Sequence, residues 1–263
     1  MTAPRFALVT GASSGIGTEL ARQLAARGYG LVITARRLDR LDALRTELEV
    51  AHKVPVHVVA QDLAAPQAPQ QLFESVRALG IQVDVLVNNA GYGIQGRFVE
   101  MDMPAIEKMT RVNVLALTEL TLLFGREMAT RGTGHILNVA SAAAFLPSPY
   151  VSAYAATKAY VLAFSEAIRF ELAPAGVNVT TLYPGITTTE FNAVALAQTP
   201  KAMDLSILGP ADVARMGLNG LFARKRTVVP GFINKVNAFL SQVLHRGLIT
   251  WFAGRLLAAA NRK

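Results

Sequence analysis

From the sixth residue onward, short apolar runs alternate with longer stretches in which leucine and alanine recur every three or four positions. The runs Phe6–Thr10, Gly30–Ala35, 54–60, Val83–Asn88, 135–140, 177–183 and 227–229 read as strands. Between them the helical period predicts helices over 16–27, 38–50, 66–79, 104–131, 152–173 and 211–223. In the second of these, Leu41, Leu44 and Leu48 fall on one face. Pro66 is read as the first residue of the third helix, a position that tolerates its missing N–H. Strands that alternate with helices in this way build βαβ units and a parallel sheet. Because the runs are apolar at both odd and even positions, both faces of that sheet need helices over them. The expectation is one doubly wound α/β domain with a seven-stranded, mainly parallel sheet.

Composition narrows the chemistry. The 263 residues include no cysteine, which excludes disulfides, thiolate metal sites and thiol nucleophiles. The four histidines, His52, His57, His135 and His245, have no neighbouring cluster of acids, so no protein-held metal is expected. Neither a signal-peptide pattern nor a membrane-spanning apolar run is seen, and a cytoplasmic protein is expected. The net charge of +8 is unevenly placed: residues 213–263 carry nine Lys and Arg and no acid, leaving residues 1–212 at −1. A near-neutral body without basic and stacking residues interleaved argues against a nucleic-acid partner.

The first strand ends in Thr10-Gly11-Ala12-Ser13-Ser14-Gly15-Ile16-Gly17, and a helix follows. Glycines at such a turn bring the backbone close to a pyrophosphate, and the helix N-terminus then faces it with unpaired N–H groups. Strand before and helix after supply the context that makes this a dinucleotide-binding turn of Rossmann type. Farther on stand Asn88-Asn89-Ala90-Gly91 after the fourth strand and Asn113 inside a long helix. Ser141 lies beyond the fifth strand, then comes Tyr154-Ala155-Ala156-Thr157-Lys158, and Pro184-Gly185 closes the sixth. In order and spacing, from residue 10 to 185, these motifs resemble the short-chain dehydrogenase/reductase family. The uninterrupted Tyr-x-x-x-Lys spacing and the compact glycine turn set the chain apart from that family's enoyl-reductase and extended epimerase branches.

Tyr154 and Lys158 are four apart on a helix and share a face. A tyrosine of pKa ~10 needs ~4 kcal/mol of preferential phenolate stabilisation to become a base near neutrality. An adjacent ammonium is expected to provide much of it. The resemblance implies a catalytic set of Asn113, Ser141, Tyr154 and Lys158. In it Tyr154 is the general acid/base, Ser141 orients the substrate oxygen, Lys158 also holds the nicotinamide ribose, and Asn113 holds a relay water. It further implies cofactor contacts from Gly11, Ser13, Ser14, Gly15, Ile16, Gly17, Asn89, Ala90, Gly91, Pro184, Gly185, Ile186 and Thr187, and from Asp62 and Leu63 at the adenine end.

After the second strand, where an acid would bind a ribose hydroxyl, stand Ala35, Arg36 and Arg37. A guanidinium there suits a 2′-phosphate, so NADP is expected over NAD, with Arg36 as its partner. Residues 186–209 form a long, apolar connection that reads as a substrate lid for a hydrophobic carbonyl or alcohol, with Tyr92, Phe145 and Leu146 lining the pocket. Residues 1–230 are thus expected to be the catalytic domain and 231–263 a basic amphipathic extension. That extension suits either an anionic membrane surface, which would place the protein at the inner face of a membrane, or packing on the body or across an oligomer interface. Homodimers or homotetramers are implied by resemblance. The alternative function is a non-catalytic NADP-binding or membrane-associated regulatory protein on the same fold.

Overall fold

The computed structural model describes residues 4–188 and 207–243 and, beyond them, 245, 247, 248, 250, 251, 254 and 255. Seven strands, all parallel, form one sheet in the order β3-β2-β1-β4-β5-β6-β7. They are β1 Phe6–Thr10, β2 Gly30–Ala35, β3 Val56–Ala60, β4 Val83–Asn88, β5 Gly134–Val139, β6 Val177–Leu182 and β7 Thr227–Val228. The helices are α1 Gly15–Ala25, α2 Leu38–His52, α3 Ala68–Ala78, α4 Met103–Thr110, α5 Leu117–Arg131, α6 Ser152–Leu172, α7 Pro210–Phe222 and α8 Phe232–Val243.

The two-residue period of the strands divides the core in two. Ala7 and Val9 of β1, Leu31 and Ile33 of β2, and Val85 and Val87 of β4 pack with Leu20, Leu24, Leu41, Leu48, Leu218 and Leu221 on one face. The residues between them, Leu8, Val32 and Leu86, pack with Leu72, Val76, Leu120, Phe124 and Val179 on the other. Each such fully buried aliphatic side chain contributes roughly 1.5–3 kcal/mol relative to exposure.

Two helix expectations are corrected. The third helix begins at Ala68, not at Pro66, because Gln67 takes a left-handed φ of 61° that no helix can run through; Pro69 is the proline in its first turn. The long helix expected over 104–131 is interrupted: Arg111–Ala116 is a turn of π-helix joining α4 to α5, with Asn113 inside it. Such bulges gather at functional positions.

Sheet order reverses direction between β1 and β4, which opens a crevice at the carboxyl ends of the strands. Thr10 ties its walls together. Its hydroxyl donates to the Val87 carbonyl (3.2 Å) and accepts from the backbone N–H groups of Asn89 and Ala90 (3.0 Å each). Deeper in, Asn88 donates to Thr121 and to Asn138 (2.9 Å each), and Asn138 donates to Ser165, so one buried polar chain fixes β4, β5, α5 and α6 together.

Candidate active site

A cavity of about 470 Å³ fills the crevice. One end is the turn after β1. Gly11 has φ 68°, and a Cβ there would lie 2.8 Å from the Ala90 Cα. A Cβ on Gly17 would run into the Gly11 carbonyl and the Asn89 amide, so α1 seats against the strand end only because both residues are glycine. Ser14, the residue before α1, makes no side-chain cap, and the first turn of the helix holds no acid. The opening N–H groups of α1 therefore face the cavity with the positive end of the helix dipole, the chemistry a phosphate requires. Asn89 holds the facing wall, its amide donating to the carbonyls of Thr10 (2.9 Å) and Gly11 (3.2 Å).

At the end of β2 the two arginines differ. Arg37 is engaged: its guanidinium donates to the Ser13 hydroxyl at 3.1 and 3.3 Å. Arg36 lines the cavity, is exposed, and has no hydrogen bond or ion pair among the described residues. Asp42, one turn into α2, is paired with Arg45 at 3.0 Å. Asp62 accepts from the Ala64 N–H (3.1 Å) and lies 3.4 Å from the Lys108 ammonium, and with Leu63 it borders the same end.

The other end carries the reactive side chains. Ser141 follows β5 and opens a short 3₁₀ turn, its oxygen accepting from the Ala143 N–H at 3.2 Å. The sequence of α6 has no interior Gly or Pro and turns Lys158, Val161 and Ser165 inward. The same helix brings Tyr154 against Ser141, whose hydroxyl bonds the phenol. Lys158 is almost wholly buried and donates to the Val139 carbonyl at 3.0 Å; its ammonium stands 5.9 Å from the Tyr154 ring centre.

Burial governs the electrostatics of both groups. Burial pushes the Tyr154 phenol up to about 12, and the Ser141 hydrogen bond pulls the other way. Burial also pulls the Lys158 ammonium down to about 8. From the protein's own groups, then, Tyr154 is a loaded proton donor at neutral pH and not a ready base.

All the expected catalytic and cofactor-contacting residues line this one cavity except Asn113, which stands behind it. The Asn113 amide donates to the Tyr92 carbonyl (2.9 Å) and the Thr157 hydroxyl (3.0 Å), and its oxygen accepts from the Tyr92 N–H (3.1 Å). Its side chain thus ties the loop after β4 to α6. Asn113 and Lys158 meet at Gly91, where a Cβ would sit 2.9 Å from one and 3.2 Å from the other.

Of the expected pocket aromatics, Tyr92 lines the cavity with Leu146, but Phe145 does not. It turns away to pack on Tyr183, ring centres 4.7 Å apart. The lid falls mostly outside the described residues. Its two ends are joined, Thr187 bridging Leu208, with Thr188 N–H to the Leu208 carbonyl at 3.2 Å. Sequence reasoning missed Gln61, Ile94, Val151 and Asn234 as lining residues. For Asn234 the only signal is an amide within a mostly apolar stretch of the tail.

A family profile described as short chain dehydrogenase matches residues 5–200. The chain is similar to the human very-long-chain 3-oxoacyl-CoA reductase, 32% identical over 185 residues, covering 68% of this chain and 58% of the human protein. Among solved structures it resembles a short-chain dehydrogenase from Sphingobium yanoikuyae in complex with NADPH. That match has a TM-score of 0.80 and 30% identity over 92% of this chain and 96% of the other. It also resembles the bulky-bulky ketone specific alcohol dehydrogenase from Comamonas testosteroni, with a TM-score of 0.78 and 28% identity over 94% and 96%.

Proposed function

The chain belongs to the short-chain dehydrogenases, and from that premise we propose that it transfers hydride between NADP(H) and a hydrophobic carbonyl or alcohol. The observation that carries the reading is convergence: the phosphate-ready start of α1, the uncommitted Arg36 and the Ser141–Tyr154–Lys158 group all open onto one cavity. A purely regulatory NADP-binding protein has no need of a proton donor buried beside a serine at the far end. NADPH is bound to the Sphingobium relative, and a bulky ketone is the substrate class of the Comamonas one.

In this reading Gly11, Ser13, Ser14, Gly15, Ile16 and Gly17 hold the pyrophosphate, Arg36 the 2′-phosphate, and Asp62 and Leu63 the adenine. Asn89, Ala90 and Gly91 flank the middle of the dinucleotide, and Pro184, Gly185, Ile186 and Thr187 its nicotinamide end. When bound, the dinucleotide supplies the hydride. The chain's own residues do the rest. Ser141 orients the carbonyl oxygen, Tyr154 donates the proton to it, and Lys158 anchors the ribose with its ammonium. Proton transfer by a positioned acid contributes roughly 10²–10⁴-fold. A phenol held at about 12 carries its proton at neutral pH, the form that reduction of a carbonyl uses. Self-association through α5 and α6 belongs to the same reading, supported by exposed Leu122 and Phe170 on those helices.

The test is NADPH and NADH consumption against carbonyls graded from small diketones to long-chain 3-oxoacyl and steroid ketones. Turnover is expected with NADPH on the larger apolar members. Tight NADPH binding without turnover on any of them would return the regulatory reading. In the same assay, Arg36→Ala is expected to raise the KM for NADPH roughly 10- to 100-fold, the loss of one charge-assisted phosphate contact, with little change for NADH. An equal effect on both would remove Arg36 from the 2′-phosphate site.

A further inference from the structure

We propose that the outward face of α8 is a docking surface for an anionic lipid bilayer. An amphipathic helix on a soluble domain ordinarily turns its apolar stripe inward. Here the arrangement is inverted. The buried side of α8 is small and polar: Asn234 donates to the Pro230 carbonyl at 2.8 Å and fits against Gly185, where a Cβ would collide with it, and Ala238 lies one turn on. About half a turn around stand Phe232, Val236, Phe239 and Val243, spaced i, i+4, i+7, i+11. Phe232 is 81% exposed, Phe239 64% and Val243 60%.

Charge selects the occupant. Residues 213–263 carry nine Lys and Arg and no acid; Lys235 is exposed on α8 beside the apolar stripe, and Arg255 is exposed farther along the chain. Trp251, also exposed, stacks under the Arg255 guanidinium at 5.1 Å, an aromatic-cation pair suited to the headgroup layer. Two copies of this face brought together would oppose basic segments of like sign, which disfavours a second copy as the cover. No described helix is long and apolar enough to cross a membrane, so α8 would lie in the interface plane. Lipid docking is independent of the oxidoreductase chemistry.

The experiment is co-sedimentation of the full chain with phosphatidylcholine vesicles, with and without phosphatidylglycerol. Partitioning is expected to rise about tenfold or more on the anionic vesicles and to fall at high salt, because each basic residue near a charged surface adds attraction that salt screens. The doubly substituted F232S/F239S chain replaces only exposed side chains. It is expected to keep its thermal melting and lose vesicle binding about tenfold or more. Lys235→Glu, which spares the apolar stripe, is expected to weaken binding to anionic vesicles several-fold and leave binding to neutral ones unchanged. Wild-type chain that stays in the supernatant, or F232S/F239S chain that binds like wild type, would overturn lipid docking. So would a wild-type oligomer that ignores vesicles and is dissolved by F232S/F239S, which would assign the face to a second copy.

Discussion

Tyr154→Phe is expected to lower the turnover of carbonyl reduction by roughly 10²–10⁴-fold while leaving dinucleotide affinity within about twofold of wild type. The substitution removes one oxygen and nothing else. The ring keeps its place on α6, and Ser141 keeps its hydrogen bond from the Ala143 N–H. What is lost is the hydroxyl that Ser141 bonds, with its proton firmly held at about 12. Stopped-flow hydride transfer and fluorescence titration of NADPH separate the two quantities. Turnover that survives in the Phe variant would sink Tyr154 as the acid and move attention to Ser141.

Lys158→Met should separate stability from activity. Turnover is expected to fall by roughly 10²-fold or more, because the ribose anchor is gone. The folded protein is nevertheless expected to gain roughly 2 kcal/mol at pH 7, the cost of keeping a buried ammonium charged less the hydrogen bond it makes to Val139. The sign follows from the depressed pKa. Below about 8 the lysine is protonated in both folded and unfolded chains, and the whole penalty is present. Between about 8 and 10.5 the unfolded chain still holds a proton that the folded one has released, so wild-type stability rises with pH. The advantage of the Met variant should therefore shrink from pH 7 to pH 10, as denaturant unfolding at both values would show. A variant less stable than wild type at pH 7 would mean that Lys158 is held by more than the Val139 carbonyl.

Much of the fold was legible because two periods divide the labour along the chain. The alternation of Ala7, Leu8 and Val9 between the two cores is the same alternation that marks the strand in the sequence. The glycine turn was legible for a related reason, since close backbone approach at Gly11 and Gly17 leaves residue identity no latitude. Features decided by a single hydrogen-bond register or by which side of an element faces inward were not. Asn113 inside an apolar helix signals a special position, but nothing in the residues around it distinguishes a π turn from a bend. In α8 the pattern shows which residues share a face and is silent on which face meets the body, and there a glycine 49 positions earlier, Gly185, decides. Tyr154 shows the same limit in energy: a spacing of four places Lys158 on its face, while the 3.0 Å bond to Val139 determines where the ammonium points.

The bridge between Thr187 and Leu208 has an engineering consequence. A stretch of chain that departs from and rejoins the fold at one clasp behaves as a cassette. The entropy of closing such a stretch grows only slowly with its length, by ~0.6 kcal/mol per doubling. If the proposed function holds, exchanging the residues between Thr187 and Leu208 should change the length or make-up of this stretch at little cost in stability, and so let substrate preference vary from one variant to the next.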